Sequence, residues 1–128
     1  FYERADIFVS PSVWDEPLGL TILEAMAART PVVATRKGGV ATMINEGVNG
    51  FLVRARNSSE IADAVNLLLT DEKLRTKMGS AAYKTVSDKF AWDKIAARFE
   101  KLYESARGKE KFEAGPLDEM LTSIFYTK

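Results

Sequence analysis

Neither cysteine nor histidine occurs in this 128-residue chain. The first absence rules out disulfides and thiolate metal sites. The second removes histidine as a general base, as a metal ligand and as the middle member of a Ser-His-Asp arrangement. Ser10 and Ser12 therefore read as loop hydrogen-bonders rather than nucleophiles, since no base is at hand. An excess of one charge is missing too. The 18 basic and 18 acidic residues cancel, so the balance points neither to nucleic acid nor to an anionic membrane surface. A local basic patch stays open, because Arg29, Arg36, Lys37, Arg54 and Arg56 fall near the glycine-rich middle; a solvated face is the plainer reading. No apolar run is long enough to span a bilayer and no signal peptide is visible. The expected compartment is the reducing interior of a cell, the cytoplasm. Internal repeats and low-complexity tracts are absent.

What is present suits an α/β fold. Hydrophobic residues make up 46% of the chain, enough for one core. Asp6 to Ser10 reads as a strand buried on both faces, closed by Pro11. The spacing of residues 20, 22, 23, 26 and 27 predicts a helix from Leu20 to Arg29, stopped before Pro31. Pro31 to Thr35 is a second strand, and Lys37-Gly38-Gly39 breaks it. Val40 to Asn45 follows as a short helix, then turn chemistry at residues 46–50 and a third strand, Phe51-Leu52-Val53. Ser58 or Ser59 is positioned to cap a helix with Ile61, Ala62, Val65, Leu68 and Leu69 on one face. A second long helix runs from Asp71 to about Lys89, with Leu74, Met78 and Ala82 in step. A third spans Trp92 to Ala106 and ends at Gly108, with Trp92 and Phe99 as expected core anchors. Residues 1–106 thus form the domain. Residues 107–128 are a tail whose stretch Leu117 to Tyr126 is amphipathic. This element order implies parallel strands, and such sheets bind ligands at the carboxyl ends of their strands. Three strands are few for that architecture. Together with Phe1 in first place, this leads to the expectation that the chain is part of something longer.

One stretch carries chemistry. In Glu16-Pro17-Leu18-Gly19-Leu20-Thr21-Ile22-Leu23-Glu24, two carboxylates flank a proline, a glycine and the apolar start of a helix. Carboxylates accept from sugar hydroxyls. A glycine at a helix start lets the backbone approach a phosphate. Taken alone, Glu16 and Glu24 are equally well read as solvated surface groups. Gly19 is equally a plain turn glycine, and Gly38-Gly39 a tight turn after a strand.

In order along the chain stand Ala5-Asp6-Ile7-Phe8-Val9-Ser10-Pro11-Ser12, Glu16-Pro17-Leu18-Gly19-Leu20, Leu23-Glu24-Ala25-Met26-Ala27, Pro31-Val32-Val33-Ala34-Thr35, Gly38-Gly39, Asn49-Gly50-Phe51-Leu52-Val53 and Phe90-Ala91-Trp92. From Ala5 to about Tyr103 this set resembles the second half of the C-terminal, donor-binding domain of retaining GT-B glycosyltransferases of the group 1, family 4 type. The resemblance implies a Rossmann-like parallel sheet with flanking helices, incomplete in this chain. It implies that Glu16 contacts the hydroxyls of the donor sugar and acts as the catalytic carboxylate, and that Glu24 contacts the ribose. It places the amides around Gly19, Leu20 and Thr21 against the diphosphate, with Gly38 and Gly39 also donor-binding. The donor is a nucleotide-diphosphate sugar, configuration is retained, and no cofactor or metal is expected; no D-x-D motif is present. The departures are Leu18 for phenylalanine, Thr30 for glycine, and Ala41-Thr42 for Pro-Glu. The family's leaving-group cations and its acceptor-binding N-terminal domain would lie upstream of Phe1. The expected partners are therefore a nucleotide-sugar, a sugar, lipid or small-molecule acceptor, and that N-terminal domain, with peripheral contact to an inner membrane face in the parent protein. The alternative is a non-catalytic nucleotide-binding or self-associating module. A nucleotide-sugar epimerase of the same architecture fits less well with the E-x7-E spacing and the absence of histidine.

Overall fold

The structure, a computed structural model, describes residues 1–107. The expectations at Gly108 and for the amphipathic stretch Leu117 to Tyr126 lie outside the described residues. A 3-10 turn (Tyr2–Arg4) leads into β1 (Phe8–Ser10), followed by α1 (Leu20–Ala27), β2 (Val32–Thr35), α2 (Val40–Met43), β3 (Phe51–Val53), α3 (Ser58–Thr70), α4 (Glu72–Lys89) and α5 (Trp92–Ala106). The sheet has the order β1-β2-β3 and is parallel throughout. Phe8 pairs with Val32 and Ser10 with Ala34; Val33 pairs with Phe51 and Thr35 with Val53.

Alternation along β2 explains the layers, because successive side chains leave a strand on opposite faces. Val32 and Ala34 pack with Ile22, Ala25 and Met26 of α1 and with Val40 and Met43 of α2. Val33 packs on the other face with Ala64 and Leu68 of α3 and with Val53 and Met78. All four residues of β2 are buried. Helix α4 joins both clusters, giving Ala82 to the first and Met78 to the second.

Several sequence expectations need correction. β1 is only half-buried, because it is an edge of the described sheet and pairs on one side alone. The cap of α3 is Asn57, whose side chain accepts from the Glu60 amide at 3.1 Å, one position before the serines. Ala62 and Leu69 are exposed; the buried side of α3 is Ala64 and Leu68, with Ile61 and Val65 at its margin. Trp92 is 85% and Phe99 44% exposed, so neither anchors the core. Helix α5 is amphipathic in sequence but buries none of its residues.

The first helix stops at Ala27, two residues before the predicted end. Arg29 takes a left-handed φ of 62°. Its amide donates to the Met26 carbonyl and that of Thr30 to Ala25, a Schellman closure. Thr30 is buried, and its hydroxyl donates to the Tyr2 carbonyl at 2.8 Å. A glycine there would leave that acceptor without this donor. The Thr42 hydroxyl likewise donates to the Gly39 carbonyl at 2.7 Å, fastening the start of α2. Leu18 packs against the α1 side of the core.

Candidate donor-binding site

Two loops meet beyond the carboxyl ends of β1 and β2, residues 11–19 and 36–39. They are tied by hydrogen bonds that each use at least one backbone group. The Thr35 hydroxyl donates to the Ser12 carbonyl. The Gly39 amide donates to the Glu16 carbonyl at 2.9 Å, and the Gly38 amide to Asp15 Oδ1 at 3.2 Å. Lys37 Nζ lies 3.6 Å from the same oxygen, an exposed pair that adds little. Gly38 has a φ of +53°, and a Cβ there would run into the backbone carbonyl of Glu16. Only glycine therefore permits this approach. The amides of Gly38 and Gly39 are both spent on the neighbouring loop, so the pair supports Glu16 from beneath.

The Glu16 carboxylate is half-buried. Its Oε1 accepts from the Ser12 hydroxyl at 3.1 Å and from the Trp14 indole at 2.9 Å. Three residues on, Gly19 caps α1 in a left-handed conformation with no side chain to satisfy the helix's first amides. Its carbonyl accepts from Ile22 at 2.9 Å and Leu23 at 3.3 Å. The amides of Leu20 and Thr21 find no acceptor among the described residues. A helix start of this kind carries about half a positive charge and unspent donors, the chemistry of an anion site.

Glu24 lies one turn along α1 on its exposed side, while Ile22, Ala25 and Met26 face the core. Tyr2 stands beside it. Partial burial, then the nearby Glu24 carboxylate, push the Tyr2 phenol above its ordinary value of 10. The Tyr2 ring is fixed edge-on to Phe8, with centroids 5.4 Å apart. The basic patch left open by the sequence is largely spoken for. Arg36 pairs with Glu46 at 3.4 Å, Lys37 with Asp15, and Arg54 with Glu60. Arg29 lies over the Tyr83 ring at 4.2 Å.

The structure thus brings Glu16, Gly19, Leu20, Thr21, Gly38 and Gly39 to one end of the sheet, with Glu24 a turn further along the same helix. Sequence reasoning missed Trp14, Asp15 and Thr35 as supports of this loop. These contacts form in a bent loop and across to the next strand, so no spacing in the sequence signalled them.

Residues 1–85 match the family model described as glycosyl transferases group 1. A D-inositol 3-phosphate glycosyltransferase of Corynebacterium jeikeium is 44% identical over 103 residues, 80% of this chain and 24% of that protein. The C-terminal domain of the group 1 glycosyl transferase LpcC from Francisella tularensis superposes with a TM-score of 0.66 at 38% identity, over 71% of this chain and 46% of that one. Anabaena HepE, solved in complex with UDP-glucose, superposes with a TM-score of 0.77 at 31% identity, over 81% of this chain and 29% of HepE. The chain spans about a quarter of the length of the curated relatives it matches. The parallel sheet with flanking helices is the architecture of GT-B glycosyltransferase C-terminal domains. By its sequence match and its fold, this chain belongs to the group 1 glycosyl transferases.

Proposed function

We propose that the chain forms the donor-binding wall of a retaining glycosyltransferase of the family 4 type. The observation that carries this reading is the start of α1. The unspent amides of Leu20 and Thr21 sit behind a bare Gly19, between a carboxylate in the preceding loop and another one turn along the helix. In this reading the amides of Gly19, Leu20 and Thr21 hold the diphosphate of a nucleotide-sugar. A helix rises ~1.5 Å per residue, so Leu20 to Glu24 spans about 6 Å, a phosphate-to-ribose offset. Glu24 takes the ribose hydroxyls, with Tyr2 steadying its carboxylate. Glu16 takes hydroxyls of the sugar and stabilises the positive charge that develops on the sugar ring as the glycosidic bond to phosphate breaks. Gly38 and Gly39 act through the loop they hold. The site calls for no resident metal, because amides and the helix dipole meet the diphosphate. The acceptor, a sugar, lipid or small molecule, approaches from surfaces that other residues of the parent enzyme supply. Its place is the cytoplasm, where nucleotide-sugars are available.

Similarity to a protein solved with UDP-glucose supports the donor class. Calorimetric titration of the chain with uridine, guanosine and adenosine diphosphates, and with UDP-glucose, tests the proposal. Glu24→Ala should weaken a bound diphosphate and its sugar conjugate alike, by about tenfold for a lost pair of charge-assisted hydrogen bonds. Glu16→Gln should weaken only the sugar conjugate. Equal losses for both ligands in Glu16→Gln would count against its assignment to the sugar.

A further inference from the structure

We infer that Ser12 and Trp14 are positioning residues for Glu16, holding Oε1 so that Oε2 is the oxygen presented to a donor-sugar hydroxyl. The inference rests on the proposed role of Glu16 and extends it to two side chains. Both donors converge on one oxygen, the hydroxyl at 3.1 Å and the indole N–H at 2.9 Å. An ionised carboxylate is an acceptor on both oxygens. Occupying one with two protein donors leaves the other for ligand donors and sets its direction.

The geometry of the loop makes this clamp firm. The loop bends at residues 13–14, and the Ser12 and Trp14 side chains both reach Glu16 Oε1. The backbone beneath them is fixed at Ser12 by the Thr35 hydroxyl and at Glu16 by the Gly39 amide, and the Asp15 side chain accepts from the Gly38 amide. Pro17 further restricts Glu16 to extended backbone angles. A glutamate with its main chain fixed and one oxygen held has few rotamers left to lose when a sugar arrives. Trp14 is 64% exposed although it is a large aromatic, so core burial does not account for its place. Its one polar atom is spent on Glu16.

The chain has two tryptophans, Trp14 and Trp92, so a proton–nitrogen NMR spectrum of the labelled protein gives two indole signals. Trp92 on α5, 85% exposed, serves as the internal control. Glu16→Gln should move the Trp14 indole signal and leave that of Trp92 in place. Titration with UDP and with UDP-glucose then reads function. The double variant Ser12→Ala, Trp14→Phe should bind UDP-glucose about tenfold more weakly with UDP affinity unchanged. Ser12→Thr in the Trp14→Phe background should recover part of the loss. A Trp14 signal indifferent to Glu16→Gln overturns the clamp, as does a double variant that keeps its full preference for the sugar conjugate. If Glu16→Gln moves the Trp14 signal but binds UDP-glucose as the parent does, the assignment of Glu16 to the sugar fails, and the inference falls with it.

Discussion

Glu60 shows how one side chain couples a strand end to a helix start. It is the third residue of α3, and its own amide is capped by Asn57. Its Oε2 accepts from the Arg54 backbone amide at 2.6 Å, just past β3, and Oε1 from the Arg54 guanidinium. Arg54's amide first, then its guanidinium, hold Glu60 below its ordinary value of 4.5. A carboxyl whose pKa is lower folded than unfolded stabilises fully above the unfolded value. That stabilisation fades as pH falls through the folded one. Thermal melts of the protein and of Glu60→Gln should therefore differ at neutral pH and converge on acidification below 4.5. A constant gap across that range would contradict the coupling. Sequence reading missed this arrangement for a physical reason. Serine and asparagine cap helices about equally well, so reading Ser58 or Ser59 as the cap passed over Asn57 one position earlier. Glu16 stood out as a candidate because its spacing from Gly19 and Glu24 is local. Gly38 and Gly39 were expected at the same site; that their amides are spent on Asp15 and Glu16, 23 residues earlier, was not, because it depends on the sheet.

At the scale of elements, the tightest joint lies between the end of α1 and the middle of α4. Gly79 is buried, and a Cβ on it would collide with the carbonyl of Arg29, with Pro31 Cδ 3.6 Å away. Arg29 itself is held in a left-handed turn, a conformation that costs a non-glycine residue about 1 kcal/mol. Its side chain recovers part of that by lying over Tyr83 of the same α4. Gly79→Ala should push the two helices apart and destabilise by about 1–3 kcal/mol in urea unfolding, although alanine favours an isolated helix by up to ~1 kcal/mol. A neutral or stabilising result would show that the joint has slack. The Leu74, Met78, Ala82 stripe of α4 was readable from its period. The role of Gly79 was not, since a glycine within a helical pattern says nothing about which backbone approaches it. For α5 the period was equally clear, yet it leaves Trp92, Leu102 and Tyr103 exposed. A stripe defines a face; what covers the face is decided elsewhere.

In the molecule as a whole, stability is concentrated around β2, the strand covered on both sides. Amide exchange followed by mass spectrometry should be slowest in β2, α1 and the Met78 to Ala82 segment of α4. It should be fast in α5, which buries no residue. Protection in α5 equal to that in β2 would contradict this gradient. The α/β class and the parallel strands were legible because strand and helix patterns alternate with short loops. The half-buried state of β1 was not, because burial of an edge depends on neighbours that its own residues do not specify.

The pairing of β1 with β2 has a consequence beyond the sheet. Phe8, Val9 and Ser10 meet partners 24 positions later, and Ser12, Asp15 and Glu16 meet theirs 23 positions later. The offset between the two loops thus differs by one from that of the strands. A shift of one residue between the strands would turn Val33 to the wrong face. The same shift would carry Glu16 away from Gly39. Core and carboxylate are read off one ruler, so a chain that packs its interior correctly has already positioned its candidate site.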